Sequence, residues 1–557
     1  MCHKRKVLWT QYRWLVSTVA DMHRSADSRP VEYPLPVISA EPPNPSSREE
    51  PLDEEPGRPS FIASDSVLFD GIPSNSPEAP ALNNGRRTEA FLRSISPTIL
   101  TDSMEEPLRM ALLDSFAHTF HHWYPFIDTT RIYHNAPPML ETTLLLAGNL
   151  ARRISTIHDL RLPCSLYQKA KEMVYSDDGR DPITLLKAIT IMACWSFRSP
   201  SIISLDGPWH WGGMAMRLAL QMGLHQESTY ASLQDSDNCR LLWWHLMNSD
   251  VLQAACWGRP CLIQSKHQNV EQPQLSSASS DTVRIFVYST RLISVLRCVI
   301  EREMCPLSET VASLITWYQN VPLQFHLHDA GGFRKLYNKA TSELWILYLA
   351  VVIFVVLRQE TTDSHGHRAQ VSPTTIAASS CMVRLYEEVY HHDDAARLGS
   401  IHGFLLMLAA IPQIFYRPCS PEKDGQRDRH MEHICTVLRQ LRLKYGGCDM
   451  VLRKIAKLRA ESHLNSQQQS QQGKSVPDPQ GPFGTDVIDG EVSQHHTVKL
   501  FPFPSSFCPN LDLLGLELAQ HEVASYQQDA SMIDRLAFES LLFDWTFDDS
   551  TAFQLMP

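Results

Sequence analysis

The chain lacks any pair of cysteines at CxxC spacing, although its 557 residues include 13 cysteines spread from Cys2 to Cys508. Paired cysteines hold structural zinc sites, and regularly spaced cysteines form the disulfide frameworks of small secreted domains. Because neither pattern occurs in the sequence, the thiols are predicted to be free, mostly buried core residues of a protein in a reducing compartment.

The chain also has fewer basic than acidic residues. The formal net charge is -11, whereas phosphate binding by electrostatics needs a basic face or stripe. A nucleic-acid footprint over the whole chain is therefore excluded, and any DNA contact has to be local. The one basic run at the N-terminus, Lys4, Arg5 and Lys6, is short enough to serve equally as a nuclear import signal or a weak phosphate contact.

No apolar run is long enough for a simple membrane span. The longest, Leu344 to Leu357, has 14 residues, and a helix of that length rises about 21 Å, short of the roughly 30 Å hydrocarbon core. A buried helix is predicted there instead. The N-terminus also shows no secretory signal, because no apolar stretch precedes a small-residue cleavage site. An intracellular protein without a membrane contact is predicted.

The usual signatures of catalysis are absent: there is no GxSxG, GxxxxGK[ST], GxGxxG or HExxH. His118 and His122 have the i, i+4 spacing of a metal-binding pair, but adjacent histidines such as those in the 391–394 stretch, HHDD, point about 100° apart on a helix. Structural histidines are the favoured interpretation. The chain is predicted not to be an enzyme, with no catalytic, cofactor-binding or metal-binding residues.

What the sequence does contain is a long succession of amphipathic helical patterns between residues 102 and 460, with almost no strand pattern. Asp181 and Pro182 are a plausible cap and first turn of one helix. A clearer helix follows, because apolar residues recur at helical spacing from Trp211 to Met222 and Gly223 supplies a stop. The fold class predicted is all-α, with one large multi-helical domain.

Further helices are predicted at roughly 238–256, 283–302, 307–319, 336–358, 374–391, 401–415 and 428–459. Ordered structure is predicted to end near Leu464.

Segments of different composition flank this domain. Residues 27–101 are rich in Pro, Ser and Glu and are predicted to form a disordered linker, while 461–532 form a low-complexity linker. Residues 533–557 interleave acidic and bulky apolar side chains, a composition typical of an activation segment that recruits transcription machinery. A C-terminal helix that docks on the domain remains an equal alternative.

Three stretches resemble one family. GPWHWGGMAMRLALQMGLHQ (207–226) and CRLLWWHLMNSDVLQAACWGRPCLI (239–263) resemble the fungal-specific transcription factor domain, also called the middle homology region. HHWYPFID (121–128) looks like its opening motif, and the apolar helix at 344–357 is similar to a later one. The resemblance covers about 350 residues. It implies that residues 102–460 form a helical regulatory domain, not a catalytic one.

The same resemblance implies a transcriptional regulator in the nucleus that controls a target gene set, such as a metabolic or secondary-metabolite biosynthetic cluster. In the family a zinc binuclear cluster that docks on DNA usually precedes this domain. Such a cluster needs six thiolates in close sequence, but only Cys2 comes before Cys164.

Residues 1–26 are therefore interpreted as a remnant of a zinc-cluster region, since Cys2 followed by Lys4, Arg5 and Lys6 looks like the end of one. A chance basic N-terminus is the alternative. Zinc is expected only if an upstream cluster exists, and DNA is a partner only if that cluster is restored. Homodimers and heterodimers are both left open.

The resemblance assigns a structural signature to Trp243, Trp244, Asp250, Gly258, Arg259 and Pro260. Asp250 shares a helical stripe with apolar residues, so its carboxylate should be buried and need a partner. We predict that Arg259 is that partner; backbone or water is the alternative.

The clustered tryptophans suggest a second hypothesis for the same region, since aromatic side chains line many cavities for apolar ligands. An effector pocket is therefore one interpretation, with core packing favoured. The tryptophans concerned are Trp209, Trp211, Trp243, Trp244 and Trp257.

Two other functions remain as alternatives to the nuclear regulator. The first is an interaction or inhibitory protein that lacks DNA binding and acts through a full-length relative. The second is a helical enzyme with a site that no signature reveals.

Overall fold

The structure is a computed structural model, and it describes residues 104–176, 181–301, 306–362, 371–418, 420–472 and 498–514. The predicted zinc-cluster remnant at 1–26, the linker at 27–101 and the acidic-hydrophobic segment at 533–557 lie outside these ranges. So do Cys2, Lys4, Arg5 and Lys6.

The described residues form an all-α structure, as predicted, with no β-strand; the β features among them are isolated bridge residues, such as the antiparallel pair His328 and Arg334. The α-helices are α1 (Glu106–Thr119), α2 (Pro138–Leu150), α3 (Arg161–Tyr175), α4 (Pro182–Met192), α5 (Pro208–Gln221), α6 (Glu227–Tyr230), α7 (Ser236–Trp257), α8 (Asp281–Glu301), α9 (Leu307–Asn320), α10 (Lys339–Thr362), α11 (Pro373–His391), α12 (His402–Phe415), α13 (Pro421–Leu441) and α14 (Gly446–Gln472).

Local sequence signals explain several helix ends. The Asp181 side chain accepts a hydrogen bond from the backbone N–H of Thr184 at 2.9 Å and so caps α4, as predicted. Helix α5 ends at Gln221, two residues before Gly223, whose φ of +75° is a conformation that glycine adopts without strain. Gly258, with φ +62°, follows the end of α7 in the same way.

The apolar run at 344–357 lies in α10 and is a core helix. Residues Lys339–Arg358 are long and apolar enough to cross a membrane by length and composition, with a mean hydropathy of 2.2, but 83% of that window is buried inside the structure. Helix α10 packs against α8, α9, α11 and α12. The prediction of a buried helix at this place is confirmed.

One predicted helix, at 428–459, is wrong in its continuity. The structure has two helices, α13 and α14, separated by a break at 442–445. Lys444 in this break is fully buried, and its ammonium group donates hydrogen bonds to the carbonyl oxygens of Leu150, at 2.6 Å, and Ala396. The Lys444 carbonyl in turn accepts a hydrogen bond from the Trp195 indole at 2.8 Å. Burial lowers the pKa of Lys444 to about 7.

Close backbone packing fixes the same break. A Cβ atom on Gly446 would lie 2.4 Å from the carbonyl oxygen of Phe197, so only glycine fits there. Tertiary contacts, rather than helix propensity, therefore decide where α13 ends and α14 begins.

The predicted end of order near Leu464 is also wrong. Helix α14 continues to Gln472, and residues 498–514, within the stretch predicted as a low-complexity linker, return to the domain. We call 498–514 the strap. It packs against α9 and α11, and its apolar side chains are buried: Leu500, Phe501, Phe503, Phe507, Cys508 and Leu513.

A disulfide joins the strap to α11, between Cys508 and Cys381, whose Cα atoms are 5.0 Å apart. The prediction that all thiols are free is therefore wrong for this pair. The other eight cysteines in the described ranges are not in disulfides, and most of those are buried as predicted. The pair was missed because its members are 127 positions apart in sequence, far beyond any local spacing pattern.

Candidate functional site

A cluster of buried and half-buried polar side chains lies where the 121–128 motif meets the first turns of α10 and α12. We call it the Glu343 cluster; its members are His122, Trp123, Lys339, Glu343 and His402. Glu343, at the centre, is 2% exposed, and His402 is fully buried. The motif places His122 and Trp123 in the turn that follows α1, because the helix ends at Thr119.

Four side chains surround the Glu343 carboxylate. The Lys339 ammonium donates to Oε1 at 2.9 Å, and His402 Nε2 donates to the same oxygen at 3.1 Å. Oε2 accepts hydrogen bonds from the Trp123 indole N–H, at 3.2 Å, and from His122 Nε2. Both carboxylate oxygens are therefore fully engaged, as a buried carboxylate requires.

The electrostatics follow from this arrangement. Burial on its own disfavours the charged form of Glu343, but the positive charge of Lys339 and the hydrogen bonds from His122 and His402 outweigh it and hold the pKa of Glu343 well below its usual range. Burial lowers the pKa of His122 more than Glu343 raises it. A neutral His122 that carries its proton on Nε2 fits both directions.

A second shell of contacts orients these groups. His402 Nδ1 lies 2.9 Å from the Tyr386 hydroxyl, which donates to it because Nε2 already carries the proton. Burial raises the pKa of Tyr386 well above its usual range, and the Glu343 charge adds to this effect. The Tyr386 hydroxyl therefore stays protonated and continues the hydrogen-bond chain from α12 into α11.

The 121–128 motif is also attached to α7 through His245. The Nδ1 atom of His245 donates to the Trp123 carbonyl at 2.8 Å, and its ring lies 4.7 Å from the Tyr124 ring and 5.3 Å from the Phe126 ring. Burial lowers the pKa of His245 to about 4. The motif thus connects the signature helix α7 with α10 and α12.

The hydrogen bonds of the Glu343 cluster join separate segments of the chain. Each polar atom of Glu343 faces a donor from another segment, and the carboxylate has no exposed side through which to reach a substrate. We therefore interpret the cluster as the contact that fixes three distant parts of the chain relative to one another.

The signature residue Asp250 is buried as predicted, at 4% exposed, but its predicted pairing with Arg259 is wrong. Its carboxylate accepts hydrogen bonds from the backbone N–H groups of Leu262, at 2.9 and 3.0 Å, and Ile263, at 3.3 Å. The cation near it is Arg297 on α8, whose Nη2 lies 3.7 Å from Oδ2. Burial raises the pKa of Asp250, while the amides and Arg297 act against that rise.

Arg259 faces the other way, because the left-handed Gly258 redirects the chain after α7. Its guanidinium carbon lies 4.8 Å from the Trp209 ring and 5.9 Å from the Trp257 ring, both within cation–π range. Pro260, next in the turn, is exposed. The aromatic rings that flank Arg259 explain why the guanidinium does not reach Asp250.

The remaining signature tryptophans serve the core. Trp243 is fully buried, and the Trp244 indole donates to the carbonyl of Glu271 at 2.8 Å. Trp211 is also fully buried and donates to the Tyr167 hydroxyl at 2.7 Å. Because Trp243 is fully buried and the Trp244 and Trp211 indoles donate to different partners, the structure supports core packing over one shared effector pocket.

The histidines considered as metal ligands are separated. His118 is exposed on α1, while His122 is committed to Glu343. His392 stacks on Tyr337 with centroids 3.9 Å apart, and Asp394 accepts hydrogen bonds from the Tyr337 hydroxyl and Arg397. Across the described ranges, no group of three or more His, Cys, Asp or Glu side chains is placed to hold a metal ion.

Sequence reasoning missed Lys339, Glu343 and His402. A weak signal was available, since Lys339 and Glu343 are four residues apart at the start of an otherwise apolar helix, where a charged pair needs an explanation. The partners of Glu343 in the opening motif, Trp123 and His122, however, lie 220 and 221 positions away in sequence. No local pattern reveals contacts at that separation.

The Glu343 cluster lies in a large helical domain and joins distant segments of it. Residues 113–291 match the sequence profile of the fungal specific transcription factor domain, so the chain carries a domain of that family. The predicted resemblance is confirmed over that range. The predicted extent of 102–460 stays a prediction beyond residue 291.

Curated relatives carry regulatory names. The acetamidase regulatory protein of Emericella nidulans is 23% identical over 65% of this chain and 48% of its own length. The acetamidase regulatory protein of Aspergillus fumigatus is 21% identical, over 64% and 49%. The cutinase transcription factor 1 beta of Fusarium vanettenii is 25% identical, over 31% and 21%.

The chain spans about half the length of the two acetamidase regulatory proteins it matches. No solved structure matches it.

The zinc cluster that the family implies does not fit the residues present. Six thiolates are needed, and Cys2 alone precedes Cys164 in the sequence. We therefore derive no function through zinc from this chain.

Proposed function

We propose that the protein is a transcriptional regulator that acts in the nucleus. The family match at 113–291 and the regulatory names of the relatives support this function and make an enzyme the weaker alternative. The observation that carries the proposal is the Glu343 cluster. It attaches the opening motif inside the matched range to α10 and α12 outside it, and so supports one continuous regulatory domain.

The target genes are proposed to be a metabolic or biosynthetic set. The names of the relatives refer to two enzymes, acetamidase and cutinase, and this supports the proposal of metabolic target genes. For this chain the pathway is to be identified by experiment: the gene is deleted in its source organism and transcripts are profiled. A coherent group of neighbouring metabolic genes should change. Unchanged transcripts across inducing conditions would argue against the proposal.

Residues 533–557 are proposed to recruit transcription machinery. Their five acidic residues keep the interleaved Leu, Phe and Trp side chains solvated until a partner groove accepts them. The strap supports this role, because it attaches the chain to the domain up to Leu514.

A fusion of the full chain to an unrelated DNA-binding domain tests the activity directly. We expect it to change expression of a reporter that carries the matching binding site. A matched variant replaces Phe543, Trp545 and Phe547 with alanine, which removes the apolar anchors and keeps the acidic residues. If the parent and this variant both leave the reporter unchanged, the proposed recruiting segment is wrong.

The second candidate is a regulator that reaches DNA only through a partner. The scarcity of cysteines before Cys164 favours it, because a binuclear cluster cannot be assembled from these residues. Sequencing of the 5′ end of the transcript separates the two: upstream codons for five more cysteines in frame support direct DNA binding, with zinc. Their absence supports action through a homodimeric or heterodimeric partner.

A further inference from the structure

The strap reaches the domain through several kinds of contact. The Tyr348 hydroxyl on α10 donates to the Leu500 carbonyl at 2.9 Å, and Asn510 Nδ2 donates to the Ser380 hydroxyl on α11 at 2.8 Å. At the far end the Lys423 ammonium lies 2.7 Å from the Asp512 carboxylate. These contacts span the whole length of the strap.

Aromatic packing adds to the hydrogen bonds. The Phe503 ring lies 5.3 Å from the Trp345 ring of α10, and the Phe507 ring lies 5.2 Å from His328. Leu513 packs against Ile376 and Tyr416. These buried groups add noncovalent contacts between the strap and the domain beside the covalent link.

The cysteine pair lies within this contact. Cys508 is 1% exposed and Cys381 is fully buried, and their Cα separation of 5.0 Å is inside the range that disulfides adopt. Noncovalent contacts lie on both sides of Cys508 along the strap and hold it beside α11, next to Cys381. In a reducing compartment such a pair is ordinarily kept as two thiols.

We propose that Cys381 and Cys508 form a redox-controlled clamp, in which oxidation locks the strap onto α11 and reduction leaves it held by noncovalent contacts alone. Cys508 reacts first, because it is on the segment that can lift away. Hydrogen peroxide transfers its hydroxyl group to this sulfur, giving a sulfenic acid and one water. The Cys381 sulfur then attacks, the S–S bond forms, and a second water leaves. Two thiols and one peroxide thus give one disulfide and two waters.

Reversal needs a thiol reductant, which attacks one sulfur of the bond and restores both thiols by exchange. Because both sulfur atoms are buried, either reaction requires the strap to lift transiently. The contacts of the strap therefore set the rate at which the clamp responds. The effect on gene expression rests on the proposed function, since the strap precedes residues 533–557.

Peptide mapping without reductant tests the bond. After the native full chain is treated with hydrogen peroxide, trypsin should release peptides 369–384 and 500–535 as one cross-linked species that dithiothreitol separates. The exposed Cys298 reports the oxidant dose in the same sample. If Cys298 is oxidised while Cys381 and Cys508 are both still alkylated singly, the clamp is wrong.

Hydrogen exchange tests the consequence. Amides of 498–514 should exchange at least about ten-fold more slowly in the oxidised protein than in the reduced one, because local opening is restricted. Cys508→Ser should remove this difference, and it leaves the α11 side of the core unchanged. Equal exchange in oxidised and reduced protein would contradict the clamp even if the bond forms.

The opening step is tested with Tyr348→Phe, which removes one hydrogen bond to the strap and keeps the ring. Reduction of the bond should become about five-fold faster, the value of one net hydrogen bond, whereas the exposed control Lys266→Ala should not change it. Identical rates in the three proteins would overturn the opening step.

The reporter fusion separates the clamp from the proposed function. Peroxide should alter reporter output in the parent and not in Cys508→Ser. A bond that forms and protects the strap without any effect on the reporter would leave the clamp in place and overturn only its link to gene expression.

Discussion

Two carboxylates, Glu343 and Asp250, are buried to a similar degree, at 2% and 4% exposed, yet they differ in how they are neutralised. Glu343 has a lysine ammonium at 2.9 Å, together with two histidines and an indole, and its pKa is held well below the usual range. Asp250 has backbone amides and an arginine no closer than 3.7 Å, and its pKa is raised.

The difference shows that burial alone does not determine the charge of a carboxylate. A cation at hydrogen-bond distance outweighs the loss of hydration at Glu343, whereas amide dipoles and a more distant guanidinium leave Asp250 dominated by that loss. It also separates two roles. Glu343 joins segments more than 200 positions apart, while Asp250 fixes a turn 12 and 13 positions away.

The largest expected effect is at Glu343. Glu343→Ala leaves a buried lysine and two histidines without their acceptor, and we expect a loss of about 3 to 5 kcal/mol in the free energy of unfolding. Urea denaturation followed by circular dichroism measures it. Glu343→Gln, which keeps the volume and one acceptor oxygen, should lose less. A loss under about 1 kcal/mol for Glu343→Ala would mean that the Glu343 cluster does not hold these segments together.

The second effect concerns His245, which holds the same motif to α7. The pKa of His245 is near 6.5 in the unfolded chain, and burial lowers it to about 4 in the folded protein. Between these values the unfolded state binds more protons, so stability is complete above about pH 6.5 and falls as the pH is lowered. From pH 7.5 to 5.0 we expect a loss of about 2 kcal/mol from this residue.

His245→Asn is the control for that pH effect, because its amide can still donate to the Trp123 carbonyl and does not titrate. Urea midpoints at the two pH values should differ less in this variant than in the parent. An equal difference in the variant and the parent would mean that a group other than His245 causes the pH dependence.

The third prediction compares how the contributions of the two carboxylates to stability change with pH. Glu343 has a lowered pKa, so its contribution is present above about pH 4.3 and is lost as the pH falls further. Asp250 has a raised pKa, so its contribution is larger near pH 4 and declines as the pH rises through its folded-state pKa.

The difference in unfolding free energy between parent and Asp250→Asn should therefore shrink as the pH rises from 4 to 6. For Glu343→Gln the same difference should instead increase over that range, because part of the Glu343 contribution is already lost at pH 4. Parallel curves for the two variants would mean that the carboxylates are not distinguished by their cations.

The smallest effect is the coupling at Asp250. A double-mutant cycle with Asp250→Ala and Arg297→Ala should show a coupling of about 1 kcal/mol, since the charges are 3.7 Å apart. The matched cycle with Arg259→Ala should be additive within about 0.5 kcal/mol, because Arg259 faces Trp209 and Trp257. Strong coupling to Arg259 would restore the original pairing hypothesis.

Much of the fold could be predicted from the sequence, because apolar spacing, a capping aspartate and a glycine stop are local signals. The α4 cap at Asp181 and the end of α5 before Gly223 were predicted for the right reason. The break at 442–445 was not, although the Gly446-Gly447 pair was visible. The burial of Lys444 against Leu150 and Ala396 depends on residues far away in the chain.

The candidate site was harder to predict for the same reason. Asp250 was correctly expected to be buried, but its partner was chosen by proximity in sequence, and the left-handed Gly258 turns Arg259 towards two indoles. Glu343 and the strap depend entirely on contacts between distant segments. The strap was also obscured by the composition around it, because a glutamine-rich stretch precedes it.

The strap has a practical consequence for anyone who produces this protein in a bacterial host. Expression boundaries chosen at the start of the glutamine-rich stretch would remove 498–514 and uncover the Trp345 ring, the Ile376 side chain and the Tyr348 hydroxyl. We expect a shortened product of that kind to expose a largely apolar patch and to aggregate into inclusion bodies. A boundary after Leu514 keeps these three groups covered by the strap.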